Sequence, residues 1–152
     1  MLVEVLVALS VLTMGFVGIF NLLNQSLSLH RVVVDNYAAT YLASEGVELV
    51  KGAVAKNVIA SLPWNSGLLD GVYEADYLGT FALSNGSLRP LQYDASRGAY
   101  SYSPGATTGF QRSIAITSIS SQELRVVCRV LWTTRGSAVS SVSVEDHLYN
   151  WR

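Results

Sequence analysis

The order of apolar and polar residues predicts a long helix at the N-terminus. Residues 5–23 are interrupted only by Ser10, Thr13 and Asn21 among polar side chains, and no Asp, Glu, Lys or Arg lies between Glu4 and Arg31. As a helix these residues would span about 28 Å, close to the ~30 Å hydrocarbon core of a bilayer. We therefore expect a membrane-crossing helix, with a signal peptide, an ordinary signal anchor and a buried core helix as alternatives.

The helical pattern continues beyond this apolar run, since no proline occurs before Pro63. Steps of three and four place a second set of residues along one helix side: Ala39, Leu42, Ala43, Gly46, Val47, Val50, Ala53 and Val54. We predict one helix over residues 1–58. Its first part, 1–25, is expected to cross a membrane, and its second part, 26–58, is expected to pack on a sheet. An exposed Glu48–Lys51 pair adds only about 0.3 kcal/mol.

The remainder, residues 59–152, predicts a β-rich head. Short strands are expected over 72–77, 91–94, 99–103 and 112–119, separated by Gly, Asn, Ser and Pro turns. Alternation over 124–132 points Cys128 inward, and a final strand includes Val142 and Val144 after a turn at Thr134-Arg135-Gly136. The terminal aromatic residues are expected to pack on the sheet. The fold class is therefore α+β, a long helix packed at its C-terminal half against a small antiparallel sheet.

Composition and charge exclude several classes of function. Charged residues make up 14% of the chain and the net charge is −1, which gives no strong signal for nucleic-acid binding. The single cysteine cannot form an intramolecular disulfide, and two histidines are too few for a metal site of ordinary spacing. No nucleotide-binding, hydrolase or zinc-protease motif occurs. We expect no catalytic, cofactor-binding or metal-binding residues, with only a weak calcium alternative at Asp70, Glu74 and Asp76.

Glu4 is the most informative polar residue. A carboxylate beside a membrane helix costs about 2.5–3.5 kcal/mol at the bilayer centre and less near the interface. Such a charge needs a cation, and no basic side chain is near it in the sequence. We predict a pair with the N-terminal amine of Met1 in a neighbouring copy; the alternative is a carboxylate in the lipid headgroups.

Residues 1–12, MLVEVLVALSVL, closely resemble the start of mature type IV pilins and type II secretion pseudopilins. In that family the glutamate usually falls at the fifth mature position, whereas here it is Glu4. Residues 37–46 are also similar to a pilin-like segment. The resemblance implies cleavage of a leader by a prepilin peptidase and storage in the cytoplasmic membrane with the head outside. Assembly machinery would then build a helical homopolymer at the cell surface.

The resemblance also assigns roles within the helix. The filament-core positions would be Leu6, Leu9, Leu12, Phe16 and Phe20. Local flexibility would arise at Gly15 and Gly18, since glycine lowers helix propensity by about 1 kcal/mol relative to alanine. The expected function is that of a filament subunit. Alternatives are a minor pilin or pseudopilin of a secretion or DNA-uptake apparatus, and a monomeric membrane-anchored binding module.

Overall fold

The computed structural model describes residues 2–103, 105–134 and 138–151. Within them, helix α1 (Leu2–Ile59) is followed by β1 (Gly71–Ala75), β2 (Phe81–Leu83), β3 (Pro90–Asp94), β4 (Ala99–Ser101), β5 (Ala106–Ser120), β6 (Glu123–Thr133) and β7 (Val139–Tyr149). The chain divides into two compact units, residues 1–36 and 37–152, which are described separately below. A long apolar N-terminal helix and an antiparallel sheet confirm the predicted α+β class.

The sheet-facing side of α1 is the one that the spacing predicts. Its buried residues are Ala39, Leu42, Ala43, Gly46, Val47 and Val50, with Ala53 and Val54 packed at the edge. The helix ends at Ile59; Ser61 then adopts a φ of 56°, and the Leu62 amide donates to the Asn57 carbonyl. The Asn57 side chain donates to the Trp64 and Ser66 carbonyls, which fixes the chain as it leaves the helix.

Strand β5 is the centre of the sheet because it pairs with three other strands. Its C-terminal half pairs with β1, and its N-terminal half pairs with β3, so that the β1–β2 and β3–β4 hairpins lie end to end along one side. On its other side β5 pairs with β6, and β6 pairs with β7. Every pairing is antiparallel, and among the described residues β7 has no further neighbour, so it is an edge strand.

Alternation along β5 and β6 builds the core. In β6 every second residue is buried against the helix side, as predicted: Leu124, Val126, Cys128, Val130 and Trp132. Ile114 and Ile116 of β5 extend the same layer. Full burial of a valine or leucine side chain contributes about 1.5–3 kcal/mol, so this layer supplies much of the stability of residues 37–152.

Several strand boundaries differ from the prediction. Strand β1 ends at Ala75, not at 77, because the Asp76 carboxylate accepts hydrogen bonds from the Leu78 and Thr80 amides and turns the chain. Strand β2 was not predicted, because three residues between turns are too few to show alternation. Strand β5 begins at Ala106, six residues before the predicted start, and β7 is longer because it stays in register with β6 throughout.

The chain terminus also differs from the prediction. Leu148 packs on the core, and the Tyr149 ring, although exposed, stacks on the His147 ring of β7 at 6.5 Å between ring centres. Trp151 is 83% exposed, so the expected packing of the terminal aromatics on the sheet is wrong for Trp151. The Tyr149 hydroxyl donates to Glu123. Of the predicted turn at 134–136, Arg135 and Gly136 lie outside the described residues, while the Thr134 amide donates to the Ala138 carbonyl.

Candidate membrane segment and assembly surface

Residues 2–36 of α1 present apolar side chains on all sides. Their large apolar side chains are 44–78% exposed. An 18-residue window of the helix has a mean hydropathy of 2.3, and none of it is buried. A soluble monomer rarely exposes an apolar patch above a few hundred Å². By length and composition the helix is therefore a candidate membrane anchor.

Two polar side chains of this segment, those of Ser10 and Thr13, form hydrogen bonds within the helix itself. The Ser10 hydroxyl donates to the Val7 carbonyl at 2.7 Å, and the Thr13 hydroxyl donates to the Ser10 carbonyl at 2.9 Å. Because a polar group in hydrocarbon must find its partner inside the protein, these internal bonds make both residues compatible with a membrane or a dry helix bundle.

Glu4 lies in the first turn of α1 and is exposed. The positive end of the helix dipole favours a carboxylate at this position. Within residues 2–103, 105–134 and 138–151, no hydrogen bond or ion pair involves the Glu4 side chain. Met1 lies outside the described residues, so the pairing of Glu4 with a Met1 amine stays a prediction.

The predicted filament-core positions follow one side of the helix at steps of three and four. All five are more than half exposed: Leu6, Leu9, Leu12, Phe16 and Phe20. Leu12 and Phe16 also line a shallow, open hollow on the helix surface, together with Ala8, Val11, Gly15 and Ile19. A side chain of another helix could enter this hollow. The helix is continuous through Gly15 and Gly18, and their role as flexible points in a filament stays a prediction.

Arg112, which the sequence analysis missed, joins three elements of the C-terminal unit. It is completely buried on β5, and one terminal nitrogen contacts both the Leu42 carbonyl and the Glu45 carboxylate of α1 at 3.1 Å. Its other terminal nitrogen donates to the Ala75 carbonyl of β1 at 2.6 Å. A buried guanidinium requires such partners, since an unpaired buried charge costs several kcal/mol. Arg112 therefore fixes α1 against β1 and β5.

Gly46 and Cys128 mark the closest approach of the helix to the sheet. A Cβ added at Gly46 would overlap Cys128 Sγ and would lie 3.3 Å from Arg112 Cδ. Burial raises the pKa of the Cys128 thiol to about 12, which keeps it protonated and unreactive. Gly46 lies on the helix side that the spacing predicts to face the sheet.

Asp146 and His147, which are adjacent in the sequence, lie on opposite faces of β7. Asp146 faces the helix and pairs with Lys51 at 2.9 Å, so the Lys51–Glu48 pair extends to the sheet. His147 faces the other way, with its ring nitrogens 2.7 Å from Glu123 and 3.3 Å from Glu145. Hydrogen bonds to Glu123 and Glu145 raise the His147 pKa, and Arg125 lowers the Glu145 pKa to about 2. Such a separation is what a β-strand produces for adjacent residues, whose side chains point to opposite faces.

The three carboxylates of the weak calcium alternative are engaged elsewhere. Asp70 accepts from the Ser118 amide, Asp76 accepts from two amides of its own turn, and Glu74 pairs with Arg89. In the part of the chain that the structure describes, no group of three or more His, Cys, Asp or Glu side chains is arranged to hold a metal ion.

Comparisons with protein-family models, with characterised proteins and with solved structures gave no match.

Proposed function

We propose that this protein is a structural subunit of a type IV pilus-like filament, stored in a membrane by its N-terminal helix before assembly. The observation that carries the proposal is the exposed apolar surface of residues 2–36 with a carboxylate, Glu4, in its first turn. A simple anchor explains the apolar surface, and the helix dipole or the lipid headgroups could accommodate the Glu4 carboxylate. A polymer with an ion pair between copies accounts for both features.

In this proposal the apolar helix serves in two environments. In the membrane, lipid covers the side chains of residues 5–23. In the filament, neighbouring helices replace lipid around the same side chains, and the hollow beside Gly15 receives a side chain from another copy. Because lipid and protein are similarly apolar, the exchange costs little, and packing and polar contacts determine which copies associate.

Glu4 would set the axial register of the copies. A carboxylate in an apolar helix bundle is stabilised by a cation at short range, and the Met1 amine of the next copy supplies one. This contact joins two different surfaces of the chain. A contact of that kind, repeated without closing a ring, produces an open helical polymer.

The C-terminal unit would then be the surface of the filament. Its helix segment is fixed to the sheet by Arg112 and by the close contact between Gly46 and Cys128. Outside the filament core, this unit supplies the exposed face of each subunit. The proposed head is therefore a rigid carrier of surface loops.

The test replaces Glu4 in the producing cells. Glu4→Ala and Glu4→Gln should each abolish sheared filaments, because both remove the charge, and Gln does so while keeping the shape of the side chain. The chain should still accumulate in the membrane. Glu48→Gln is the matched control, since Glu48 is an exposed glutamate of the same helix that pairs only with Lys51 among the described residues. Filaments should persist in that variant.

Other outcomes assign the alternative functions. Filaments that persist without Glu4 contradict its role in assembly. If the filaments are composed of a different protein and disappear when this chain is deleted, this chain is a minor pilin or pseudopilin. A chain displayed at the cell surface as a monomer in all variants would be an anchored binding module, and the proposal would be wrong.

A further inference from the structure

The connection between β2 and β3, residues 84–89, is anchored at both ends. At its start the Ser84 amide donates to the Val72 carbonyl at 2.8 Å. At its end the Arg89 amide and Nε both contact the Glu74 carboxylate at 2.6 Å. Glu74 is buried, so this contact is a charge-assisted anchor and not a loose surface pair.

Two further contacts fix the same end. The Gln111 side chain donates to the Leu88 carbonyl at 3.0 Å, and the Arg89 guanidinium lies 4.4 Å from the centre of the Tyr102 ring. These contacts hold the residues on either side of 85–87 against the sheet. The three residues between them are presented on a rigid base.

Asn85, Gly86 and Ser87 are all exposed at the tip of this connection. Gly86 has a φ of 96°, and a Cβ added there would meet nothing within 4 Å, so the space around the turn is open. Among the described residues no hydrogen bond engages the Asn85 side chain. The amide nitrogen is therefore accessible and not committed to another partner.

The three residues form an Asn-x-Ser triplet without proline, the acceptor pattern for N-linked sugars, which belongs on the surface loops of exported proteins. We infer that Asn85 is an N-glycosylation site. The Asn85 amide nitrogen would bond to the anomeric carbon of a sugar donor carried on a lipid pyrophosphate. The lipid pyrophosphate leaves with the electron pair of the broken bond, and the amide gives up one proton.

A second triplet, Asn24-Gln25-Ser26, provides an internal comparison. It lies within α1, directly after the apolar residues 5–23. Residues two apart on a helix are rotated by about 200° about the helix axis, so their side chains point to nearly opposite sides. The Asn24 amide and the Ser26 hydroxyl therefore cannot face one enzyme together. At the turn of residues 85–87 the backbone imposes no such separation. Only Asn85 should carry sugar.

The inference rests on the proposed function, because the sugar donor and its transferase act on exported chains. The test is mass spectrometry of the full chain purified in detergent from producing cells and digested with trypsin. Asn85 falls in peptide 57–97, since Arg89 precedes Pro90 and resists cleavage, while Asn24 falls in peptide 1–31. A sugar mass is expected on peptide 57–97 alone.

Variants in the same cells identify the attachment residue. Asn85→Gln and Ser87→Ala should each remove the sugar, Ser87→Thr should keep it, and Asn24→Gln should change nothing. Asn85 without sugar overturns the inference, whether the residue is intact or deamidated by attack of the Gly86 amide nitrogen. Sugar that persists in Asn85→Gln also overturns it.

Surface labelling of intact cells separates this inference from the proposed function. A bare Asn85 on a chain that is labelled from outside refutes glycosylation and leaves the filament proposal in place. A chain whose residues 37–152 cannot be labelled from outside refutes both.

Discussion

Replacing Gly46 by alanine tests the packing of the helix on the sheet. On an open helix surface, Gly→Ala stabilises by about 1 kcal/mol through helix propensity. At Gly46 the new methyl would overlap Cys128 Sγ, which is buried and enclosed by the core. Overpacking in a dense core costs about 1–3 kcal/mol. We therefore expect Gly46→Ala to lower the free energy of unfolding by about 1 kcal/mol.

Gly52→Ala is the matched control on the same helix. Gly52 is exposed, and a Cβ added there meets nothing within 4 Å, so only the propensity gain applies. The two variants should differ by about 2 kcal/mol, with opposite signs relative to the parent. The assay is urea denaturation of the full chain in detergent, followed by tryptophan fluorescence. Trp64, Trp132 and Trp151 all lie in the C-terminal unit, so the signal reports on that unit.

A double-mutant cycle identifies the partner. Cys128→Ala removes the sulfur and leaves a small cavity, so on its own it should destabilise. In the Gly46→Ala background the added methyl enters the space that the sulfur occupied, and the two changes should compensate by about 1 kcal/mol or more. Equal stabilisation by Gly46→Ala and Gly52→Ala, or strictly additive effects of Gly46→Ala and Cys128→Ala, would refute the close approach.

Three further predictions concern other groups of the C-terminal unit. Arg112→Met should destabilise by about 3 kcal/mol in the same urea assay, since it leaves buried carbonyls unpaired, and Arg125→Met on the exposed face should change stability much less. The pKa of His147 is raised in the folded chain. The stabilisation that protonated His147 provides is therefore complete below its ordinary pKa of about 6.5 and is lost as pH rises through the folded-state pKa. Over that pH range the urea midpoint should fall less in His147→Gln than in the parent. The Cys128 thiol, with a pKa of about 12, should resist alkylation at pH 8 until the chain is unfolded in urea, as followed by intact mass.

Each of these has a contrary result. A near-neutral Arg112→Met would show that the guanidinium contacts contribute little to stability. The same pH dependence in the parent and in His147→Gln would show that the His147 contacts do not persist in solution. Rapid alkylation of the folded chain would place the Cys128 thiol at the surface.

The sequence predicts the helix and its buried stripe because both depend on periodicity, which local residues determine. Alternation over 124–132 likewise predicts β6 and the inward direction of Cys128. Strand β2 escaped prediction because three residues carry no measurable period. The length of β7 depends on its pairing with β6, a long-range property that the residues of β7 do not reveal alone.

Arg112 shows how a buried charge can be missed. It shares its strand parity with Ile114 and Ile116, so alternation alone places it inward, and an arginine at an inward position requires a carboxylate partner. Glu45 is that partner, but it is 67 residues away in sequence. Only the packing of α1 on β5 brings the two side chains together.

For Glu4, the sequence predicts a role that the structure of one chain does not test. Its position in an apolar run predicts an unusual role, yet the proposed partner belongs to another copy of the chain. No single subunit can contain that contact, so the sequence pattern remains the ground for the assembly proposal.

Cryo-electron microscopy of filaments sheared from the producing cells tests the central claim most directly. The account predicts that this sequence fits every repeat, with the apolar helices in the filament core and the Glu4 carboxylate of each copy beside the Met1 amine of a neighbour. Filaments of another protein, or a Glu4 carboxylate facing no cation in a filament of this chain, would contradict it.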